Sequence, residues 1–274
     1  MINTILHPHT KLKTETFLKK PSHALLLSGA SGVGKLHLAK AMAQELGLPV
    51  HVVSAAEQKS SIGIEQIRDL YSLTRSGSPL CIIIQDAELL STEAQNAFLK
   101  LLEEPPKNVL FALTVNESQK LLSTIRSRVQ EINVLTPKKS DLSGFIQKHY
   151  HLANSELASL MHTTRGMPGT LMKQLADDAL KKDHLKIVEE AKNFYQSGIY
   201  ERHMVCIEHS YEKAWTLQLL DTLALILEAL LRTTNSSSAT ILLRQVALLE
   251  ETAQRVSTIN GNPKIHMARL AEKL

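Results

Sequence analysis

A glycine-rich octapeptide constrains the fold of this chain more than any other feature. Residues 29–36 read GASGVGKL and match the phosphate-loop pattern G-x-x-x-x-G-K-[ST] at every position except the last, where Leu36 stands. The preceding residues 24–28, ALLLS, form a short apolar run, and residues 35–47 carry apolar side chains at helical spacing. Strand, glycine loop and helix in this order are what a phosphate loop requires.

The first half of the chain alternates short apolar runs with helical patterns. Further strands are predicted at residues 49–55, 80–87, 109–115 and 129–134. Helices are predicted between them at 63–77 and 91–104, and the second ends at two prolines, which cannot continue a helix. This alternation predicts an α/β fold with a parallel five-stranded sheet that helices cover on both faces.

No strand-like run follows residue 135, and the rest of the chain reads as helical. We predict a nucleotide-binding-like domain at residues 1–135, a small helical domain at 136–180 and an all-α bundle at 184–274. Residues 217–232, LQLLDTLALILEALLR, carry more apolar surface than one helix of a small bundle needs. Burial within the bundle and contact with another chain are both open explanations.

Composition and charge exclude several classes of protein. The net charge of +4 is too small to indicate nucleic-acid binding by itself. Two distant cysteines, Cys81 and Cys206, exclude a disulfide framework and a four-cysteine zinc site within the chain, so a reducing cytoplasmic location is expected. We expect neither a secretory signal nor a membrane span, because no apolar run approaches about 18 uninterrupted residues.

The phosphate loop is complete on its phosphate side and incomplete on its metal side. Its glycines allow the backbone to approach phosphate oxygens, and Lys35 with the first amides of the helix supplies positive charge. The side chain of Leu36 has no oxygen to offer Mg²⁺. The candidate nucleotide-binding residues are Gly29, Ser31, Gly32, Val33, Gly34 and Lys35.

The second metal position is also altered. After the strand at residue 80 comes Gln85, where an Mg²⁺-holding Asp is normally required, and then Asp86, where a catalytic acid would stand. The loss of both hard-oxygen ligands predicts a degenerate hydrolytic site without a bound metal. Two alternatives remain open. A shifted register would make Asp86 the metal ligand of a working ATPase, and the octapeptide could be a turn that binds nothing.

Two blocks of sequence carry a family resemblance. AQNAFLKLLEEPP at 94–106 and TIRSRVQ at 124–130 resemble the signature of bacterial clamp-loader subunits of the AAA+ class, above all the delta-prime type of DNA polymerase III subunit. The resemblance covers about residues 20–175 strongly and the C-terminal bundle only by type. It implies an AAA+ phosphate-loop domain, a helical lid domain and a C-terminal helical collar.

The resemblance also implies a function and partners. The chain would act in DNA replication as a non-hydrolysing subunit of a hetero-pentamer with gamma/tau-like and delta-like subunits, which places a sliding clamp on primed DNA. Arg128 would act in trans as an arginine finger at a neighbour's ATP, although a solvated loop arginine is the plain alternative. No cofactor is required, bound ATP or ADP without hydrolysis is compatible, and no zinc is expected.

Two further features bear on this reading. Arg68 and the start of the helix near residue 63 are a DNA-contact candidate, since the matching family helix grips phosphate, but an amphipathic helix explains the pattern equally well. The segment GMPGT at 166–170 resembles the family's sensor-two element and contains no arginine.

The competing functional class is an active gamma/tau-like AAA+ ATPase with Asp86 as metal ligand, and Leu36 and Gln85 argue against it.

Overall fold

A sheet of five parallel strands lies at the centre of residues 1–172. Its strand order is β2-β3-β4-β1-β5. Every residue of β1 and β4 is buried, which explains why these segments read as continuous apolar runs rather than alternating ones. The predicted α/β fold with a parallel five-stranded sheet is confirmed. The strands are β1 Ala24–Ser28, β2 Val50–Val53, β3 Leu80–Ile84, β4 Val109–Val115 and β5 Gln130–Asn133.

Helices connect the strands, and two apolar clusters form the core around the sheet. One cluster contains Phe98 and Phe111, whose rings meet edge to face at 5.3 Å between centroids. The other contains Phe17, Leu38 and Met42. The helices up to residue 176 are α1 Pro8–Lys19, α2 Lys35–Glu45, α3 Ile64–Thr74, α4 Thr92–Glu103, α5 Ser123–Arg126, α6 Lys139–Tyr150, α7 Asn154–Thr163 and α8 Pro168–Ala176.

The computed structural model describes residues 5–55, 61–75, 77–150, 152, 154–176, 178–208, 213–231, 236–258 and 263–274. The chain divides into two units, residues 1–172 and residues 173–274. The finer division at 135, 180 and 184 stays a prediction.

The second unit is helical throughout its described residues. Its central helix α11 packs against α9, α12 and α13, and Leu219, Leu223 and Leu227 are fully buried there. By length and composition alone α11 could cross a membrane, with a mean hydropathy of 1.5, but its buried face makes it a core helix of this unit. Burial within the bundle therefore accounts for part of its apolar surface, while Leu230 is 37% exposed. The helices are α9 Asp178–Gln196, α10 Ile199–Glu208, α11 Lys213–Leu231, α12 Ser236–Thr258 and α13 Pro263–Lys273.

Candidate functional site

The glycine loop joins β1 to α2 as the sequence pattern predicts. Gly32 and Gly34 have φ angles of 77° and 100°, in the left-handed region that glycine enters without strain. These two turns bring the chain from the end of β1 to the first residue of α2, Lys35. All six candidate nucleotide-binding residues lie in this turn. Their binding of a nucleotide stays a prediction.

The ammonium group of Lys35 is fully engaged by oxygens of the protein itself. The residue is 6% exposed, and its Nζ donates to the carbonyl oxygens of Gly29 at 2.8 Å and Ala30 at 3.0 Å. A third bond runs to Oδ1 of Asn116 at 2.9 Å. A lysine ammonium has three hydrogens, so each has an acceptor within the chain. The lysine thus donates to protein oxygens the hydrogen bonds that it could otherwise donate to phosphate oxygens.

Asn116 links the lysine to an acidic residue that sequence analysis did not single out. Its main-chain N and its Nδ2 donate to Oε1 of Glu88 at 2.9 Å and 2.6 Å. Burial lowers the pKa of Lys35, and the nearby carboxylates of Asp86 and Glu88 oppose that shift. Asn116 follows β4 and Glu88 follows β3, so the adjacency of these two strands brings them together. The position of Glu88 just beyond a strand end is the one sequence signal that could have indicated it.

The two residues at the altered acidic position lie directly after β3. The main-chain N of Gln85 donates to the carbonyl oxygen of Val53 at 2.8 Å, which continues the ladder between β2 and β3. The Nε2 of Gln85 donates to Oδ2 of Asp86 at 3.2 Å, and the main-chain N of Asp86 donates to Oγ1 of Thr114 at 3.0 Å. An amide therefore occupies the first position after the strand and engages the carboxylate beside it.

Leu36 and Gln85 offer no carboxylate or hydroxyl oxygen at the two positions where the motif places magnesium ligands. Mg²⁺ requires octahedral oxygen ligands, and Leu36 contributes to an apolar cluster instead. Of residues 85 and 86, which normally carry the metal-holding and the catalytic carboxylate, only Asp86 is an acid. Its Oδ2 accepts a hydrogen bond from Gln85. Lys35 has no hydrogen left for a phosphate oxygen unless a present bond breaks.

The first turn of α8 lies directly against the phosphate loop. The main-chain N atoms of Gly169 and Thr170 donate to the carbonyl oxygen of Gly32 at 2.8 Å and 3.1 Å. A Cβ atom on Gly169 would lie 2.8 Å from both the N and the Cα of Gly34, closer than side chains approach backbone. Glycine is thus required at 169 because the helix and the loop touch main chain to main chain. The segment that resembles a sensor-two element covers the loop.

Replacing Gly169 with Ala should loosen this contact. We expect the free energy of unfolding to fall by about 1–3 kcal/mol, the usual cost of overpacking a closely packed site. Equilibrium urea unfolding followed by circular dichroism measures the change. The matched control is Gly144→Ala in α6, where an added Cβ meets nothing within 4 Å and alanine is the better helix former. Equal stability of the Gly169→Ala and wild-type chains would contradict the contact.

Arg128 lies between α5 and β5 and is held by α4 and α5. Its Nη2 donates to Oε1 of Glu103 at 2.9 Å. Its Nη1 donates to the carbonyl oxygen of Thr124 at 3.0 Å and to Oγ of Ser127 at 3.3 Å. The side chain is still 37% exposed. The two sequence blocks that carry the family resemblance therefore meet at this arginine, and Glu103 is a contact that sequence analysis missed.

Arg68 lies on the exposed face of α3. Its Nη1 forms an ion pair with Oε1 of Glu65 at 2.8 Å, while Ile67 and Leu70 on the other face are buried. The amphipathic pattern is thereby explained by burial. The main-chain N of Gly63 donates to Oε1 of Gln66 at 3.2 Å, which occupies one donor at the helix start. The DNA contact of Arg68 stays a prediction, as does the absence of zinc.

Parts of the chain are similar to known subunits of DNA polymerase III. Residues 47–138 match the family model described as DNA polymerase III, delta subunit. The chain is 27% identical over 199 residues to the delta-prime subunit of DNA polymerase III from Haemophilus influenzae, covering 63% of this chain and 58% of that protein. It is 30% identical over 155 residues to the gamma subunit from Buchnera aphidicola, covering 47% and 43%.

A solved structure supports the fold over nearly the whole chain. The gamma subunit-related protein of DNA polymerase III from Thermotoga maritima superposes with a TM-score of 0.64 at 18% identity, covering 97% of this chain and 99% of that one. The predicted AAA+ fold and the resemblance to clamp-loader subunits of DNA polymerase III are confirmed. The chain spans less than two thirds of the length of the two sequence relatives.

Proposed function

We propose, from the similarity to DNA polymerase III subunits, that this chain is a delta-prime-like, non-hydrolysing subunit of a clamp loader. In this role it assembles with gamma/tau-like and delta-like subunits and helps to place a sliding clamp on primed DNA. Its own phosphate loop is structural, and Arg128 completes the ATP site of a neighbouring subunit. The relatives include both delta-prime and gamma subunits, so the choice of subunit type rests on the site.

The observation that carries the proposal is the presence of Leu36 and Gln85 at the two positions where the motif places magnesium ligands. In a working phosphate loop the lysine reaches the β- and γ-phosphates. Here its three hydrogens are taken by two loop carbonyls and Asn116, and the side chain is buried. Leu36 and Gln85 remove the oxygen ligands that would hold Mg²⁺, and Mg²⁺ neutralises charge that develops during phosphoryl transfer. These features together favour the non-hydrolysing reading.

The exposure of Arg128 supports a role towards another molecule. Arginine fingers act in trans by placing a planar, permanently charged group against a transferring phosphoryl group. The guanidinium of Arg128 is oriented by three hydrogen bonds and remains 37% exposed. An oriented and accessible arginine is what such a function requires.

Exposed apolar side chains on the helical unit support assembly into a complex. On α10, Tyr200, Met204 and Ile207 are 73%, 50% and 51% exposed, and their spacing of four and three residues places them on one face of the helix. Large apolar side chains that are grouped on a surface are typical of protein–protein contacts. A collar contact with other subunits would cover them.

ATP turnover and ATP binding by the purified chain test the non-hydrolysing reading directly. We expect no Mg²⁺-dependent turnover above that of a Lys35→Ala chain, because the metal ligands are absent and the lysine is engaged. Phosphate release and binding of a fluorescent ATP analogue are measured with and without Mg²⁺. Turnover that requires both Mg²⁺ and Lys35 would instead support the active gamma/tau-like ATPase, with Asp86 as the metal ligand.

A further inference from the structure

Glu103 is one of three acceptors that orient the guanidinium of Arg128. It is the last residue of α4, and its Oε1 accepts a hydrogen bond from Nη2 of Arg128 at 2.9 Å. The carbonyl oxygen of Thr124 and Oγ of Ser127 bind Nη1 on the neighbouring corner of the group. A planar group held at two different nitrogens cannot rotate freely, so the carboxylate fixes the plane of the guanidinium.

Helices α4 and α5, which carry the two sides of this contact, are anchored in the core. Phe98, Leu101 and Leu102 of α4 are buried in the core around the sheet. On the opposite side of the contact Ile125 is fully buried, which anchors the short helix α5. Gln95 of α4 also accepts a hydrogen bond from the main-chain N of Leu122 at 2.9 Å. The loop that carries Arg128 is therefore attached to α4 near both ends of that helix.

The weakness of the Glu103 contact suits a group that must engage a phosphate. The side chains of Glu103 and Arg128 are 52% and 37% exposed, and ion pairs at such exposure are screened by water and contribute little stability. The carboxylate can thus orient the arginine without competing strongly against a phosphoryl group that carries more charge. Donors of Arg128 that the three hydrogen bonds leave unused remain for that phosphoryl group.

We propose that Glu103 is a positioning residue that holds Arg128 in the orientation it needs to reach ATP on a neighbouring subunit. This inference rests on the proposed function of Arg128. It assigns to the end of α4 a role in the neighbour's hydrolysis rather than in the stability of this chain alone. Glu103 contacts the arginine and does not itself touch ATP.

The test uses the full chain assembled with the ATP-hydrolysing subunits of the same organism. We compare Glu103→Gln, Glu103→Asp and Arg128→Ala, with Glu104→Gln as the matched control that removes the same charge one residue further on. Single-turnover hydrolysis of labelled ATP in the presence of primed DNA gives the rate at the neighbour's site, and its dependence on ATP concentration gives the ATP affinity separately. Gel filtration verifies assembly of each variant.

We expect Glu103→Gln to lower the single-turnover hydrolysis rate at the neighbour's site by roughly 3- to 10-fold with little change in ATP affinity, because misplacing a catalytic group costs rate more than ATP affinity. Glu103→Asp should recover part of the loss, and Glu104→Gln should behave like the wild type. The double variant Glu103→Gln with Arg128→Ala should equal Arg128→Ala alone, since Glu103 acts through that arginine.

Three outcomes would overturn the proposal. The first is an unchanged single-turnover rate in Glu103→Gln while Arg128→Ala is slow, which would leave the proposed arginine finger without this positioning residue. The second is a double variant that is slower than Arg128→Ala alone, and the third is loss of assembly in Glu103→Gln, since both would give Glu103 a separate role. An unchanged rate in Arg128→Ala would refute the proposed function itself.

Discussion

Replacing Arg128 with Ala should slow ATP hydrolysis at the neighbouring subunit's site by about 10³-fold, the lower end of what arginine fingers contribute. The physical reason is that the transferring phosphoryl group spreads charge over its oxygens, and removal of the guanidinium leaves that charge less stabilised. Single-turnover hydrolysis of labelled ATP by the assembled complex resolves the affected site. The steady-state rate should fall only by the share that this one site contributes.

Two further variants help to interpret the result of Arg128→Ala. Arg128→Lys keeps the charge but loses the planar fork, so we expect most of the rate to be lost in that variant also. Arg126→Ala is the matched control, because Arg126 is an exposed arginine two residues earlier on α5. A complex that contains Arg128→Ala and hydrolyses ATP at the wild-type rate at every site would refute the arginine finger.

Replacing Lys35 with Met should destabilise the chain even when no nucleotide is present. Lys35 is buried and donates three part-buried hydrogen bonds, so its removal leaves their oxygen acceptors without this donor and two carboxylates without a nearby cation. We expect the free energy of unfolding to fall by about 1–3 kcal/mol. Equilibrium urea unfolding measures it, and Lys40→Met is the control, since Lys40 is exposed on the same helix.

Nucleotide and pH give two independent readouts of the same lysine. Mg²⁺-ATP should leave the unfolding midpoint of the wild type unchanged, whereas ATP at 100 times the Kd of a binding site would raise the free energy of unfolding by about 2.7 kcal/mol.

Because burial lowers the pKa of Lys35 from 10.5, the unfolded chain binds more protons than the folded chain as the pH approaches that value. Lys35 therefore makes stability rise with pH in this window, and Lys35→Met should lose that rise. A Lys35→Met chain as stable as Lys40→Met would contradict the structural role.

Much of the fold was predictable because its signals are local. The apolar runs at β1 and β4 are buried along their whole length, and such runs are typical of parallel strands covered on both faces. Ser91 at the start of α4 and the two prolines after it mark that helix by capping and by the missing amide donor of proline. The strand order, by contrast, depends on which apolar faces pack together, and a linear pattern of residue types does not record that.

The candidate site divides in the same way. The glycine loop, Leu36 and Gln85 could be read from motif spacing because each lies at a defined place after a strand. The partners of these residues could not. Glu88 and Glu103 resemble ordinary surface acids in the sequence, and Gly169 resembles a helix-start glycine. Their contacts depend on distances between elements that are far apart along the chain.

The sequence by itself determined the strand–loop–helix order, the phosphate-loop turn and the residues Leu36 and Gln85 where the motif places oxygen ligands, because these follow from residue type and spacing. Only the tertiary structure decided which residues the loop contacts. Lys35 and Asn116 are 81 residues apart, and Arg128 and Glu103 are 25 apart, so each pair meets only when the sheet and its helices have packed. Hydrogen bonds require atoms within about 3 Å in a defined direction, and that geometry exists only in the folded chain.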